Sequence, residues 1–256
     1  MNPKENLLIS IIVGAIIVTA INTGFDPVKF AEGIPNIGVL LSEMSQLESG
    51  LLSIAFWSML ETLQMAFLGT VIGVAIAIPL SLLAARNMSR RLVYAPVRAI
   101  LAGIRTFPSI LWALFFVIVV GLGPFAGVLA IIMYTIGFMS KLQYEAIEAI
   151  DPDPVEVVGA MGASRLQQIR YVVLPESAPH LLSQLLYMFE YNVRQTSILG
   201  IVGAGGIGFY IIEYIKFFEY GKAMVFMLVV LATVLIIDWI SMMIRDRYIV
   251  KRQSGK

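Results

Sequence analysis

The sequence predicts an all-α membrane protein with six transmembrane helices. Hydrophobic residues make up 59% of the 256 residues and charged residues only 14%, whereas a soluble domain carries about 25% charged residues. The mean hydropathy is +0.86, and the apolar residues form six long runs separated by polar segments. Because a helix needs about 20 apolar residues to cross a bilayer, these runs predict a polytopic membrane protein.

The rare residue types exclude several kinds of function. The chain has no cysteine and only one histidine, His180, which excludes disulfides, thiolate chemistry and cysteine-ligated metal sites. A metal or proton-relay site built on histidine is not expected either. The net charge is +1, and the basic residues lie in short loops, so we expect no nucleic-acid partner. We predict no catalytic residue and no metal ligand.

The first predicted span covers residues 7–25, behind Lys4. Its length is close to the ~20 residues that a membrane helix needs. The alternative is a cleaved signal peptide, because the run is short and residues 18–20 (VTA) resemble a cleavage site.

Residues 26–50 are mixed and acidic, and we predict that they form a linker. Residues 51–60 are predicted to form a short interfacial helix that Trp57 anchors. Together with the first span, these segments give an N-terminal region of residues 1–57.

Five further spans follow in a predicted core of residues 58–243, before a basic tail of residues 244–256. The motif Gly69-x-x-x-Gly73 in the second span favours close helix packing, and Pro108 predicts a kink in the third. The five spans cover residues 62–85, 96–121, 125–142, 177–202 and 222–243.

The distribution of lysine and arginine predicts the orientation. Basic residues follow the second and sixth spans, while the segment after the first span is acidic. The positive-inside rule then places both termini in the cytoplasm, on the same side as residues 151–175. The basic residues are Arg86, Arg90, Arg91 and Arg98, and in the tail Arg245, Arg247, Lys251, Arg252 and Lys256.

Residues 151–175, hereafter the 151–175 segment, form the longest polar interruption between apolar runs and are predicted to be a helix–turn–helix. Asp153 is the predicted N-cap of the first helix, with Pro154 and Glu156 in its first turn. Gly162 suits the left-handed residue that ends this helix. Ser164 and Gln167 have the spacing of a capping box for the second helix, and Pro175 is predicted to restart the chain into the fifth span.

This pattern resembles the cytoplasmic EAA loop of ABC importer permeases. Glu156 and Gly162 keep the spacing of that loop, and residues 172–175 (VVLP) follow after nine residues. The departures are apolar: Val157 and Val158 stand where the family has alanines, and Val172 stands for isoleucine. The alternative is an ordinary amphipathic linker.

The resemblance implies a type I ABC importer permease without enzymatic activity. A separate ABC ATPase dimer would bind ATP and Mg²⁺, since the chain has no G-x-x-x-x-G-K-[ST] motif to cradle phosphates. The implied ATPase-coupling residues are Glu156, Gly162, Ala163, Arg165, Leu174 and Pro175.

Several stretches are similar to the permease subunits of phosphonate importers. They are residues 61–66 (ETLQMA), 82–87 (LLAARN), 105–108 (RTFP), 120–127 (VGLGPFAG), 192–195 (NVRQ) and 199–208 (LGIVGAGGIG). The resemblance implies a homodimer in the bacterial inner membrane, with a periplasmic or lipid-anchored binding protein, and a cargo of phosphonate, phosphite or phosphate.

Three alternatives are open. The first is a permease of the same type for methionine, a polyamine or another oxyanion. The second is a secondary transporter, which would show inverted repeats and broken helices. The third is a membrane-embedded hydrolase, although no nucleophile–base set is apparent in the spans.

Residues 203–208 (GAGGIG) match G-x-G-x-x-G by letter. A dinucleotide site needs a preceding strand within a βαβ unit, and here a membrane span precedes the motif. We therefore expect close backbone packing at this position and no nucleotide.

Arg105, Glu190, Arg194 and Asp238 lie inside predicted spans, where charges are costly and indicate function. Arg105 and Asp238 fit either a structural ion pair or a pathway role. Glu190 and Arg194 are four residues apart on one helix face and either neutralise each other or line the pathway. The predicted pathway residues are Arg194, Glu190 and Arg105.

Overall fold

The computed structural model describes residues 3–247, and every regular element in that range is helical. The prediction of an all-α polytopic protein is therefore confirmed. The described residues fall into two compact units, one ending at Gln46 and the other beginning at Leu47. The tail residues Lys251, Arg252 and Lys256 lie outside the described range.

The first unit contains two helices, α1 (Pro3–Asn22) and α2 (Pro27–Met44). Within α1, Lys4–Asn22 has a mean hydropathy of 1.9, as expected of a span. The predicted linker over residues 26–50 is largely helical, because α2 occupies most of it. Asp26 caps α2 by accepting hydrogen bonds from the N–H groups of Val28 and Lys29, and Pro27 occupies the first helical position.

The second unit begins with a short 3₁₀ turn (Ser49–Leu51) that leads into α3 (Leu52–Ala84), a helix of 33 residues. The prediction of a separate interfacial helix over residues 51–60 was wrong, and the predicted boundary at residue 57 falls inside α3. Glu61 does not interrupt the helix, because its carboxylate accepts a hydrogen bond from the N–H of Gly206 at 3.0 Å. Because the Glu61 carboxylate has this hydrogen-bond partner in the protein, it does not need to be hydrated by water.

The predicted third span is broken rather than kinked. Helix α4 (Arg91–Thr106) and helix α5 (Ser109–Val120) meet at an angle of 87°. Pro108 has no N–H to continue the helix, and it forces the preceding residue into an extended conformation; Phe107 accordingly has φ −87° and ψ 124°. The indole N–H of Trp112 donates a hydrogen bond to the carbonyl of Ile104 at 3.2 Å, so that this carbonyl in the last turn of α4 has a partner.

Helix α6 (Pro124–Glu148) is the central helix of the second unit and packs against α3, α4, α5 and α9. Its contact with α3 is close because α3 presents Gly69 and Gly73. A Cβ atom at Gly69 would lie 2.5 Å from Ile131 Cγ2, and one at Gly73 would lie 2.6 Å from Thr135 Cβ. The close packing that the G-x-x-x-G spacing predicts is thus confirmed.

The remaining helices are α7 (Pro152–Ala160), α8 (Arg165–Gln168), α9 (Leu174–Leu199), α10 (Ile207–Lys216) and α11 (Tyr220–Arg245). Helices α9 and α10 belong to a second bent pair, with an angle of 48°. Four helices are long and apolar enough to cross a membrane, and the two bent pairs bring the number within the described residues to six.

A buried polar bridge joins three of these helices. The side-chain amide of Asn192 on α9 donates to Thr70 Oγ1 on α3 at 2.8 Å and to Thr135 Oγ1 on α6 at 2.9 Å. All three residues are buried. Because apolar packing barely distinguishes helix contacts from lipid contacts, such hydrogen bonds help to define which helix faces meet.

Candidate functional site

The 151–175 segment begins with α7, whose N-cap is Asp151 and not the predicted Asp153. The Asp151 carboxylate accepts a hydrogen bond from the N–H of Asp153 at 3.1 Å, and Pro152 occupies the first turn. Both aspartates precede a proline in the sequence, so that the pattern alone did not distinguish them. Helix α7 ends before Gly162, which has φ +86° as predicted.

The predicted capping box at the second helix is confirmed. The N–H of Ser164 donates to Gln167 Oε1 at 2.7 Å, and the N–H of Gln167 donates to Ser164 Oγ at 3.4 Å. Together with the left-handed Gly162, this box fixes the direction in which α8 leaves the turn.

The prediction that Pro175 restarts the chain was wrong. Helix α8 continues through a π-helical turn (Ile169–Val173) into α9, and Pro175 lies in the first turn of α9. A proline ring clashes with the carbonyl four residues earlier in a regular α-helix. The wider π-helical turn accommodates the ring, because there the N–H of Leu174 bonds to the carbonyl of Ile169 instead.

The 151–175 segment exposes an apolar face beside its charged residues. Val157 is 59% exposed, Met161 81% and Leu166 76%, and Glu156 is exposed next to them. Large apolar side chains gathered on an otherwise polar segment indicate a protein contact surface.

The other predicted coupling residues lie around this face. Ala163 accepts a hydrogen bond from the side-chain amide of Gln168 at 3.2 Å. Arg165 donates to the backbone carbonyl of Asn87 at 3.4 Å, beyond the end of α3. Leu174 and Pro175 are exposed at the start of α9.

Beside the segment lies a cluster of four residues, Glu148, Arg98, Arg86 and Asn87, which we call the Glu148 cluster. Glu148 is the last residue of α6 and pairs with Arg98 of α4. Its Oε1 atom also accepts a hydrogen bond from the backbone N–H of Arg86 at 2.6 Å. Asn87 donates to the carbonyl of Ile147 at 2.9 Å.

Arg98 adds two further contacts to the Glu148 cluster. Its Nε–H donates to the carbonyl of Ala84, the last residue of α3, at 2.7 Å. Its guanidinium lies 4.2 Å from the ring centroid of Tyr144, a cation–π distance. No local spacing relates Arg98 to Glu148, so the sequence alone indicates Arg98 only as one of the basic loop residues and does not indicate Glu148.

A second charged group, the Glu190 cluster, consists of Glu190, Arg194 and Arg245. Glu190 pairs with Arg194 one turn later on α9, and Arg245 Nη2 of α11 lies 3.8 Å from the other carboxylate oxygen. The side chain of Glu190 is 9% exposed, whereas that of Arg194 is 46% exposed. Arg245 was predicted to belong to the basic tail, and its contact with Glu190 was not predicted.

Two arginines and one carboxylate give the Glu190 cluster a surplus positive charge. The Nε atom of Arg245 is buried and has no hydrogen-bond partner among the described residues. Arg194 faces a cavity of about 290 Å³ between α9, α10 and α11, lined otherwise mainly by apolar side chains, among them Ile198, Ile211 and Val230.

The structure does not bring Arg105 and Asp238 together as an ion pair. Among residues 3–247, the ion pairs include none between these two side chains. Arg105 is half-buried in the last turn of α4, next to the 87° break.

The G-x-G-x-x-G match ends at the N-terminus of α10. The N–H groups there, which have no acceptor within the helix, donate to side chains of α3. The N–H of Gly206 donates to Glu61, and that of Ile207 donates to Thr62 Oγ1 at 2.8 Å. A phosphate at this helix end would have to displace the Glu61 carboxylate. Residues 3–247 also contain no group of three or more acidic, histidine or cysteine side chains placed to hold a metal ion.

Comparison with known proteins gives one consistent result. Residues 77–253 match the family model described as "Binding-protein-dependent transport system inner membrane component". The transport system permease protein HtxC of Stutzerimonas stutzeri is 38% identical over 228 residues, covering 89% of this chain and 81% of that protein.

Two further matches extend this result. The phosphite transport system permease protein PtxC of Stutzerimonas stutzeri is 33% identical over 245 residues, covering 94% of this chain and 88% of that protein. A solved chain of the MetNI methionine ABC transporter, in an inward-facing conformation, is 26% identical with a TM-score of 0.69, covering 78% of this chain and 97% of that chain.

Proposed function

The chain belongs to the family of binding-protein-dependent transport system inner membrane components, and we propose that it is the permease subunit of an ATP-driven importer of phosphorus oxyanions. Phosphite, phosphonate and phosphate form the proposed cargo class. Support comes from the similarity to PtxC over 94% of the chain and from the phosphonate-importer stretches in the sequence.

The surplus positive charge of the Glu190 cluster is the observation that carries the cargo class. A phosphorus oxyanion brings one or two negative charges into a layer about 30 Å thick, so the pathway must supply donors. Arg194 is suited to this role because a guanidinium makes bidentate contacts with oxyanions. Glu190 beside it prevents the anion from binding too tightly for release.

The exposure of Arg194 supports a second copy of this chain as partner. An arginine that is 46% exposed within a span would be costly against lipid, by about 2.5 to 3.5 kcal/mol even on the lowest scales. A homodimer that encloses a watery pathway between two copies of α9 removes this cost. Arg105, next to the broken span, is the further pathway residue in this proposal.

The 151–175 segment is the proposed contact with a cytoplasmic ABC ATPase dimer that binds ATP and Mg²⁺. Its exposed apolar face supports the contact, and Glu156, Gly162, Ala163, Arg165, Leu174 and Pro175 are the coupling residues. In this proposal both termini lie in the cytoplasm, and a periplasmic or lipid-anchored binding protein docks on the opposite side.

Uptake by the reconstituted transporter tests the cargo class. The chain would be purified with its ATPase and binding protein, placed in proteoliposomes, and supplied with phosphite, methylphosphonate, phosphate or methionine. We expect ATP-dependent uptake of at least one phosphorus oxyanion and none of methionine. Uptake of methionine alone would contradict the cargo and favour another permease of the same type.

Substitution of Gly162 tests the coupling surface. A β-branched residue is strained at φ +86°, so Gly162→Val should remove most uptake while the subunit still inserts. Gly162→Asn is the matched control, because asparagine tolerates the left-handed conformation, and it should retain most uptake. Normal transport by Gly162→Val would show that this turn is not the coupling element.

A further inference from the structure

We propose that Glu148 is the positioning residue that transmits displacement of the 151–175 segment to helices α3 and α4. This inference rests on the proposed coupling function and adds the route by which the motion reaches the membrane helices. The carboxylate of Glu148 lies where three helices meet, and the segment begins three residues after it.

The geometry makes Glu148 a shared contact of those helices. As the last residue of α6, it receives a hydrogen bond from the backbone of Arg86, just beyond the end of α3. The same oxygen receives the guanidinium of Arg98 from α4, and Arg98 is itself bonded to the last carbonyl of α3. If the end of α6 moves, α3 and α4 are therefore pulled with it.

The segment reaches this point by a polar route as well as through the chain. Arg165 of α8 donates to the carbonyl of Asn87, and the side chain of Asn87 donates to Ile147 of α6. A displacement of α8 would therefore be transmitted to Ile147 of α6, one residue before Glu148.

An apolar route runs parallel to the polar one. Val155 of α7 packs against a buried cluster formed by Ala85, Ile147 and Val173. Ala85 directly follows α3, Ile147 is the penultimate residue of α6, and Val173 directly precedes α9. Both helices of the 151–175 segment are therefore connected to the Glu148 cluster, while the face with Val157, Met161 and Leu166 is free for a partner.

A transmitting role and a merely structural one differ in what they do to coupling. If Glu148 only stabilises the fold, its loss reduces uptake and ATP hydrolysis together, in proportion to the amount of assembled complex. If Glu148 transmits motion, the assembled complex still hydrolyses ATP but moves less cargo for each ATP.

The test is Glu148→Gln in the complete reconstituted transporter, with cargo uptake and ATP hydrolysis measured on the same proteoliposomes. The variant keeps an acceptor for Arg86 but removes the charge that holds Arg98. We expect the ratio of cargo to ATP to fall by roughly fivefold or more, the lower end of usual coupling effects. Glu145→Gln is the matched control: Glu145 lies one turn earlier, is half exposed, and among residues 3–247 pairs only with Lys141 of its own helix.

An unchanged ratio in Glu148→Gln, or an equal fall in Glu145→Gln, would overturn the proposal. If Glu148→Gln does not assemble, Glu148→Asp is measured instead. The shorter side chain keeps the charge but cannot reach both Arg86 and Arg98 as before, so the ratio should still fall, and an unchanged ratio again overturns the proposal. If the 151–175 segment is not the coupling surface, Gly162→Val transports normally. This outcome distinguishes failure of the proposed coupling function from failure of the proposed role of Glu148.

Discussion

The Glu148 and Glu190 clusters each place one carboxylate between groups on different helices, but the first carboxylate pairs with one guanidinium group and the second with two. Glu148 meets one arginine and one backbone N–H, and its arginine also has a carbonyl and an aromatic ring as partners. Glu190 meets two arginines, of which Arg194 is 46% exposed and Arg245 has a buried Nε without a partner in the part of the chain that the structure describes.

This difference separates two uses of charge in a membrane protein. A carboxylate whose charge is matched by a single guanidinium group resists change and suits the transmission of force. A group with a surplus charge and an unused donor is poised to bind an ion of opposite sign. The comparison leads to three predictions, beginning with the largest effect.

Charge reversal at Arg98 should break the Glu148 cluster. Arg98→Glu places two carboxylates together, and we expect a loss of about 3 kcal/mol, the lower end of the range for breaking buried pairs, since Arg98 and Glu148 retain 19% and 25% exposure. Thermal unfolding of the purified subunit in detergent measures the loss. The double reversal Arg98→Glu with Glu148→Arg should recover part of it, and a stable single variant would show that the cluster does not hold the helices.

Neutralising the surplus charge should affect transport more than folding. Arg194→Gln should lower oxyanion uptake about tenfold, the loss of roughly one charge-assisted hydrogen bond, while substrate-free ATP hydrolysis by the assembled complex persists.

The double variant Glu190→Gln with Arg194→Gln sharpens this test. It removes the charges of Glu190 and Arg194 together, and Arg245 alone keeps its charge in the Glu190 cluster. Full uptake by the double variant would remove Arg194 from the pathway.

The smallest effect is expected for an ion pair that belongs to neither cluster. Lys141 and Glu145 lie 3.4 Å apart on α6, with 39% and 51% exposure. Lys141→Gln should change the free energy of unfolding by less than about 0.5 kcal/mol, as is usual for exposed pairs. A loss as large as that of Arg98→Glu would mean that position on α6, rather than charge balance, determines the effect.

The features predicted correctly depend on neighbours in the chain. The left-handed Gly162 and the capping box at Ser164 follow from spacings of a few residues. The close approach of α6 at Gly69 and Gly73 follows from the spacing of the two glycines, which lie about one helical turn apart on the same face of α3.

The features missed depend on partners that are distant in sequence. The second span was predicted to begin after Glu61, because neither segment of the sequence indicates that Glu61 accepts a hydrogen bond from Gly206. Arg245 appeared to belong to a tail because its contact with Glu190 requires α9 and α11 to be packed together. The helix α2 was missed for a different reason: its cap at Asp26 was read as part of an acidic loop.

The length of α3 is constrained more strictly than its composition. Glu61 on this helix holds the N-terminus of α10, and the carbonyl of Ala84 at its end accepts the hydrogen bond from Arg98. One inserted or deleted residue between them would rotate one end relative to the other by about 100° and shift it by ~1.5 Å. The two contacts could then not form at the same time. Evolution should therefore alter this stretch by substitution, and an alignment of natural relatives should be free of gaps from Glu61 to Ala84.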